Sequence, residues 1–348
     1  MKFFSTALAA VSLLVATANG TLMLRMEGEG KSNSSIGCNL TGTYKKGTDI
    51  SSCTSITVDS LHVPPGVTLD LSKAKKVPSF RTDLTVKGIL DGQGSWYWKQ
   101  GESITRPVFF RLQHVISSTV SEITMKNMPF HTFRIFNCKD TTLTGLTIDA
   151  RAGNGIAKNT DSFGLSMSGH VTITKNTIYN QDDCLGMQSS TNTVFSGNYC
   201  CGGHRISIGS IGGNSVNQST TVQGLLVKGN TVVDSDNGLR IKTIIDLKGL
   251  VSDVMYVDNV LMNVKNAIVI RSDYNKKTGD YTNTATSQVQ ITGITVSGLT
   301  GSAKNIYAIN TNPNVVSNWT LSGIHVTTSA TGMLIGLPNS LRNSLASV

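Results

Sequence analysis

Three segments of the sequence decide the fold: Ile173–Ile178 (ITKNTI), Val194–Cys200 (VFSGNYC) and Val227–Val232 (VKGNTV). Each is a short β-rich run broken by Asn, and such runs recur roughly every 22 to 35 residues, the spacing of a solenoid repeat. Five further runs continue the series: Val120–Met125, Leu143–Ile148, Val251–Val260, Ile291–Val296 and Leu321–Val326.

The composition of these runs favours strands over helices. Val, Ile and Thr are strand formers, whereas Gly, Asn and Asp between them form turns. One repeat cannot close a core alone and must stack on the next, so the sequence predicts an all-β fold, a parallel β-helix. Asn176, Asn198 and Asn230 fall at equivalent places and are interpreted as a structural ladder. A β-sandwich is the competing fold, but its Asn-Gly and Asp-Gly hairpin signals are sparse.

The N-terminus predicts export. Residues 1–18 combine one cation, Lys2, an apolar run from Ala7 to Ala16 and a small-residue end, which is typical of a signal peptide. Residues 19–348 are predicted to form a single β-helical catalytic domain, secreted and monomeric, with no membrane contact. Lys and Arg outnumber Asp and Glu by 30 to 21, which suits a polyanionic partner. Export favours an acidic polysaccharide over nucleic acid.

Six cysteines in an exported chain indicate disulfides. Cys38 with Cys53, and Cys184 with Cys200, would close local loops, whereas Cys138 and Cys201 stay unassigned between free thiols and a third bridge. Four sequons are candidate N-glycosylation sites: Asn33, Asn39, Asn217 and Asn318.

Asp161, Asp183 and His204 share one position in consecutive repeats. Each stands two places before the first of two alternating apolar residues, at spacings of 22 and 21 residues. Since adjacent parallel strands lie about 4.8 Å apart, these side chains are predicted to stack on one face. Asp182 adds a third carboxylate. Farther along, Arg240 and Lys242 flank Ile241 and are predicted to project together from the sheet.

These residues carry a resemblance to a known family. Asn159-Thr160-Asp161, Gln181-Asp182-Asp183, Gly203-His204-Arg205 and Arg240-Ile241-Lys242 resemble, in order, the motifs of the polygalacturonases of glycoside hydrolase family 28. The likeness extends over most of the predicted mature chain. It implies a right-handed parallel β-helix and inverting hydrolysis of the α-1,4-galacturonosyl linkages of pectin.

The resemblance also implies roles for the residues. Asp182 would be the general acid, Asp161 and Asp183 would hold and deprotonate the attacking water, and His204 would tune the proton by hydrogen bonding. Inversion requires acid and base roughly 6.5 to 9.5 Å apart. Arg240, Lys242 and Tyr274 would bind the acidic sugar, because a guanidinium can hold a carboxylate through two hydrogen bonds. The Cys184–Cys200 bridge matches the family, and no cofactor or metal is implied.

Two positions depart from the family pattern. Arg205 replaces the second Gly of Gly-His-Gly, and Gly164 stands where many fungal members carry Asp. Both are predicted to face outward, so that Arg205 would bind substrate in a cleft that has lost a negative charge. Alternatively, Arg205 pairs with a catalytic Asp or blocks a subsite.

The sequence thus favours an endo-acting polygalacturonase. The rivals are a weak or inactive pectin-binding β-helix, and a hydrolase of xylogalacturonan or rhamnogalacturonan. Arg240 and Lys242 favour galacturonate at the cleavage point over both substituted pectins.

Overall fold

The protein is described here by a computed structural model that covers residues 10–13, 22–26, 37–53, 55–64, 67–71, 83–101, 103–339 and 341. The described residues form 29 strands, one short α-helix, α1 (Gly94–Lys99), and three single-turn 3₁₀ helices, Arg151–Gly153, Gln218–Thr220 and Pro313–Val315. The strands are β1 Ala10–Leu13, β2 Leu22–Met26, β3 Gly37–Thr43, β4 Ser55–His62, β5 Leu69–Asp70, β6 Asp83–Lys87, β7 Ile89–Asp91, β8 Phe110–Gln113, β9 Ile116–Ser121, β10 Thr124–Lys126, β11 Phe133–Phe136, β12 Lys139–Thr144, β13 Thr147–Asp149, β14 Phe163–Ser166, β15 Ser168–Thr174, β16 Thr177–Tyr179, β17 Asp183–Met187, β18 Ser190–Ser196, β19 Tyr199–Cys201, β20 Arg205–Ile211, β21 Thr221–Lys228, β22 Thr231–Ile244, β23 Lys248–Val257, β24 Val260–Asn275, β25 Asp280–Tyr281, β26 Gln288–Ser297, β27 Thr300–Asn310, β28 Val316–Ser322 and β29 His325–Ile335.

The chain winds through three sheets in every coil. The back sheet has twelve strands in the order β28-β26-β23-β21-β18-β15-β12-β9-β2-β6-β4-β3. The side sheet contains β7, β10, β13, β16, β19 and the first halves of β22, β24, β27 and β29. The front sheet contains β8, β11, β14, β17, β20 and the second halves of the same long strands. The coils pair in parallel, which confirms the predicted β-helix, whereas the N-terminal strands lie antiparallel, β1 beside β8 and β2 between β6 and β9.

Most of the predicted strand runs are not single strands. Ile291–Val296 lies within β26, but the other runs span the corner between the back and side sheets; within Ile173–Ile178, β15 ends at Thr174 and β16 begins at Thr177. The reason is Asn176, which turns the chain while its buried side chain accepts a hydrogen bond from the Leu146 amide. Because the corner residue points inward, the apolar spacing continues across it and hides the turn from the sequence pattern.

The predicted Asn ladder is present and one step longer than expected. Asn176 donates to Asn198 Oδ1 at 2.8 Å, Asn198 to Asn230 Oδ1 at 3.0 Å, and Asn230 to Asn259 Oδ1 at 2.9 Å. All four are buried. Each amide satisfies backbone groups that the corner leaves without strand partners, which is the usual requirement for buried polar groups.

The interior is filled by side chains that alternate with outward-facing residues. On the front sheet, Phe110, Phe133 and Phe163 stack in consecutive coils, with ring centroids 5.1 and 5.4 Å apart. Their burial fixes the register of β8, β11 and β14, because a slip of one residue would expose all three rings.

Both predicted disulfides are confirmed: Cys38–Cys53 and Cys184–Cys200. The pair left open has no bridge, since Cys138 is a buried free thiol and Cys201 a half-buried one.

The exported character of the chain is tested only in part by the described residues. No helix among them is long and apolar enough to cross a membrane. The sequon residues Asn39, Asn217 and Asn318 are exposed, whereas Asn33 lies outside the described residues. Glycosylation and the signal peptide, of which only residues 10–13 are described, stay predictions.

Candidate active site

The corner between the side and front sheets gathers the predicted acids. Asp161 precedes β14, Asp182 directly precedes β17, Asp183 begins β17, and His204 precedes β20. Backbone hydrogen bonds fix their stacking, since Ser162 donates to the Asp183 carbonyl at 2.8 Å and His204 to the Asp182 carbonyl at 3.2 Å. The structure therefore brings together the residues that the repeat spacing placed on one face.

Asp182 and His204 form a charged hydrogen bond. His204 Nδ1 lies 3.0 Å from Asp182 Oδ1, and Asn159 Nδ2 donates to Asp182 Oδ2 at 3.4 Å. Burial acts to raise the pKa of Asp182, but the hydrogen bond and charge of His204 outweigh it, so this pKa is lowered. The same hydrogen bond raises the pKa of His204 against the effect of burial. The hydrogen bond therefore favours the state in which Asp182 is ionised and His204 is protonated.

Asp183 is held by Arg240 and Ser207. Arg240 Nη2 donates to both carboxylate oxygens of Asp183, at 2.8 and 3.1 Å, and its Nε donates to Ser207 Oγ at 2.9 Å. Ser207 in turn donates to Asp183 Oδ1 at 2.6 Å. Arg240 is only 6% exposed. Its first partner is thus a protein carboxylate, and two of its three nitrogens already donate to groups of the protein.

Asp161 is the carboxyl with the highest affinity for a proton. Burial, followed by the charges of Asp182 and Asp183, raises the pKa of Asp161 well above its usual range. Asp161 and Asp183 both reach over Gly186, since a Cβ placed there would lie 3.4 Å from Asp161 Oδ2 and 3.8 Å from Asp183 Oδ2. Gly186 thus leaves an open space beside two carboxyl groups, which is where a proton-transfer reaction could be accommodated.

Lys242 and Tyr274 form the neighbouring wall. Lys242 Nζ lies 4.5 Å from the centre of the Tyr274 ring, and Tyr281 of the adjoining hairpin packs edge-on against Tyr274 at 5.9 Å. Burial and the charge of Arg240 lower the pKa of Lys242. An ammonium over an aromatic ring keeps its charge available to an anion on its other side. Tyr274 thus lies beside Lys242.

Asp182, Asp183 and His204 are the described residues that could together hold a metal ion, because their ligand atoms lie within 4.8 Å of one another. Arg240 already places a cation on Asp183, and His204 Nδ1 is already hydrogen-bonded to Asp182 Oδ1. This arrangement suits proton transfer better than metal binding.

The comparisons with known proteins agree with this geometry. The family described as glycosyl hydrolases family 28 matches residues 80–340. Endopolygalacturonase I of Aspergillus oryzae is 39% identical, with 83% of this chain and 86% of the relative covered. The polygalacturonase of Saccharomyces cerevisiae is 36% identical, with 83% and 88% covered.

This chain belongs to glycosyl hydrolases family 28.

Solved structures show the same fold as this family 28 chain. The endo-xylogalacturonan hydrolase of Aspergillus tubingensis gives a TM-score of 0.66 at 23% identity, with 89% of this chain and 86% of that chain covered. Endopolygalacturonase I of Stereum purpureum gives 0.51 at 22% identity, with 86% and 90% covered. At these identities the likeness concerns the architecture alone.

Arg205 is a departure whose predicted role is wrong. The prediction placed it in the cleft, but Arg205 is fully buried. Its Nε donates to Ser235 Oγ at 3.0 Å and its Nη1 to Asn180 Oδ1 at 2.7 Å. A bulge in β17 between Asp183 and Leu185 shifts the register against β20, so simple alternation fails at this point. Arg205 neither pairs with a catalytic acid nor blocks a subsite, which removes the reason for expecting a binding protein.

Asn180 shows what Arg205 supports instead. Asn180 Nδ2 donates to the carbonyls of Thr160 at 2.9 Å and Asp183 at 3.0 Å. The Asn180 side chain therefore links the two backbone segments that carry Asp161 and Asp183. Arg205 fixes the orientation of this side chain by donating to its Oδ1. Burial lowers the pKa of Arg205 to about 10, so the guanidinium remains charged at neutral pH.

The sequence interpretation missed two residues of the site. His131 Nε2 lies 3.6 Å from Asp161 Oδ1, and Asp236 Oδ2 lies 3.7 Å from His204 Nε2. Burial lowers the pKa of His131 to about 4, so it is a neutral neighbour of Asp161. The repeat spacing was the available signal, because His131 lies 30 residues before Asp161 and Asp236 lies 32 after His204 at the same corner.

Beyond His204, a groove of about 660 Å³ continues along the same corner. Its lining includes His204, Asp236, Lys265 and Lys304. The groove therefore adjoins the carboxyl groups at His204 and extends from there toward the C-terminal coils.

Proposed function

We propose that this protein is a secreted endo-polygalacturonase that hydrolyses α-1,4-galacturonosyl linkages of pectin with inversion. The observation that carries the proposal is the stacking of Asp161 and Asp183 beside Gly186, with Asp182 adjacent and Lys242 close enough to influence the pKa of Asp161. Acids supply the proton transfers, and a cation beside them suits a sugar that bears a carboxylate. The names of the relatives, endopolygalacturonase and polygalacturonase, support the substrate class and endo action.

In the proposed reaction, Asp182 protonates the glycosidic oxygen while Asp161 and Asp183 hold the attacking water and remove its proton. Lys242, Tyr274 and the remaining nitrogen of Arg240 bind the carboxylate of the sugar at the cleavage point. In the free site, the pKa of Asp161 is raised and that of Asp182 is lowered, so Asp161 binds a proton more readily than Asp182. The proposed general acid, Asp182, must therefore gain a proton before it can act. Under the proposal, the proton moves from Asp161 to Asp182 when substrate binds, which leaves Asp161 ionised and able to accept a proton from water.

The activity test uses polygalacturonate and measures new reducing ends. A ladder of oligomers supports endo cleavage, galacturonate monomer alone would indicate exo cleavage, and no product would overturn the proposal. NMR of the first-formed product reports stereochemistry, because inversion at an α-linkage releases the β-anomer first.

A second test assigns the acid. Asp182→Asn should lose most of its activity on polygalacturonate, by about 10² to 10⁴-fold. It should keep activity on a galacturonoside whose nitrophenolate leaving group needs no protonation. Asp161→Asn should lose activity on both substrates. If Asp161→Asn is the variant that the activated substrate rescues, Asp161 is the acid.

A further inference from the structure

One outward-facing row of the front sheet runs through the active site. Consecutive coils pair Arg111 with Arg134, Arg134 with Gly164, Gly164 with Gly186, Gly186 with Ser207 and Ser207 with Arg240. The residues on either side of Arg111 and Arg134 in their strands are fully buried: Phe110, Leu112, Phe133 and Ile135. Both arginines therefore project from the face that carries the acids.

These two arginines carry like charges on adjacent strands, and adjacent strands lie about 4.8 Å apart along the axis of the β-helix. Among the residues that the structure describes, no carboxylate pairs with either guanidinium. Burial, followed by the charge of Arg134, lowers the pKa of Arg111. Like charges placed opposite each other destabilise a sheet, so the pair weakens the free protein. An anionic ligand would relieve that repulsion.

The row leads directly from the arginines to the acids. Only Gly164 separates Arg134 from Gly186, and a Cβ at Gly164 would meet a single atom within 4 Å, the Phe133 carbonyl oxygen at 3.4 Å. The floor of the groove is thus open between the arginines and the carboxylates that flank Gly186. His131, 3.6 Å from Asp161, is also within the electrostatic reach of Arg134 and Arg111.

We propose that Arg111 and Arg134 bind the carboxylates of two consecutive sugars of the acidic glycan, on the N-terminal side of the catalytic acids. This inference rests on the proposed function and adds a specificity to it. A guanidinium holds a free carboxylate through paired, charge-assisted hydrogen bonds, and a methyl ester removes the charge. The protein then requires a block of unesterified galacturonate there, in addition to the sugar at the cleavage point.

The test measures binding in the inactive Asp182→Asn background, so that substrate is not consumed. The variant Arg111→Gln/Arg134→Gln is compared with the unaltered background by calorimetry against polygalacturonate oligomers and against a highly methyl-esterified pectin. We expect the affinity for the unesterified oligomers to fall by about tenfold or more, since two charged contacts are lost. Affinity for the esterified pectin should change little.

The matched control is Lys139→Gln/Lys228→Gln, which removes two positive charges from exposed positions on the back sheet. An equal loss of affinity in this control would mean that net charge alone acts, and would overturn the proposal. An unchanged affinity in the arginine variant would also overturn it. The arginine variant should unfold at no lower temperature than its background, because the substitution removes like-charge repulsion.

The experiment distinguishes failure of the proposed function from failure of the arginine site. If the wild-type protein neither cleaves nor binds polygalacturonate, the proposed function is wrong and the arginine site falls with it. If the wild-type protein cleaves polygalacturonate and the arginine variant binds it normally, only the arginine site is wrong.

Discussion

Substitution of Arg205 by Met should destabilise the protein and slow the reaction without weakening substrate binding. The guanidinium is fully buried and donates two short hydrogen bonds, to Ser235 Oγ at 3.0 Å and to Asn180 Oδ1 at 2.7 Å. Each hydrogen bond from a charged donor contributes about 1.5 to 3 kcal/mol. Met fills much of the same volume but leaves both acceptors without a partner.

The cost of burying the charge offsets part of this loss. The pKa of Arg205 falls from 12.5 to about 10, and each unit corresponds to about 1.4 kcal/mol, so removal of the charge returns about 3 kcal/mol. Two hydrogen bonds and two orphaned acceptors outweigh that return, and we expect a net loss of about 2 to 4 kcal/mol in the free energy of unfolding. Denaturation by guanidinium chloride measures it.

The kinetic consequence follows from Asn180. Without Arg205, the amide that ties the Thr160 and Asp183 carbonyls together is free to rotate, and the carboxylates move relative to one another. We expect kcat on polygalacturonate to fall by about 10 to 100-fold, with KM within about a factor of two. Arg151→Met is the matched control, because Arg151 is exposed and paired with Asp149 on the surface. Unchanged stability together with a raised KM would refute this reasoning, since it would mean that Arg205 reaches the substrate.

Three further outcomes are expected. Asp161→Asn should be more stable than wild type at neutral pH, because a folded-state pKa above the unfolded value makes the ionised carboxyl destabilising above about pH 4; thermal unfolding at pH 3 and pH 7 checks this, and equal differences at both would contradict it. His204→Gln should be less stable than wild type at pH 6, and the difference should vanish as pH rises through the raised folded-state pKa of His204; a difference that persists at pH 9 would contradict it. Replacing Cys184 and Cys200 by Ser opens a loop with a sequence separation of 16 and should lower the free energy of unfolding by about 3 kcal/mol, with KM unchanged, whereas a raised KM would show that the bridge shapes the groove.

Features of the structure that recur once in every coil can be predicted from the sequence. Strand propensity, the spacing of the apolar runs and the Asn residues predicted the β-helix and three rungs of the ladder. The spacing of 22 and 21 residues also predicted that Asp161, Asp183 and His204 stack. These inferences succeed because each coil is one period of the same local pattern, and equal positions in the period meet in space.

The contacts that break the period could not be predicted. The direction of Arg205 depends on the bulge in β17, which displaces the register by one residue and turns a predicted groove residue into a buried one. The commitment of Arg240 to Asp183 is likewise a contact between residues 57 apart in sequence.

The amino-acid sequence by itself determined the solenoid, its disulfides and the chemical identity of the acids, because these follow from local propensity and from the order of residues. Only the tertiary structure decided which cations face the groove. It buried Arg205, bound Arg240 to a carboxylate, and placed a half-buried Arg111 and an exposed Arg134 side by side in one row. The physical reason is that a side chain's charge is fixed by its chemistry, whereas its partner and its solvent exposure are set by coil register.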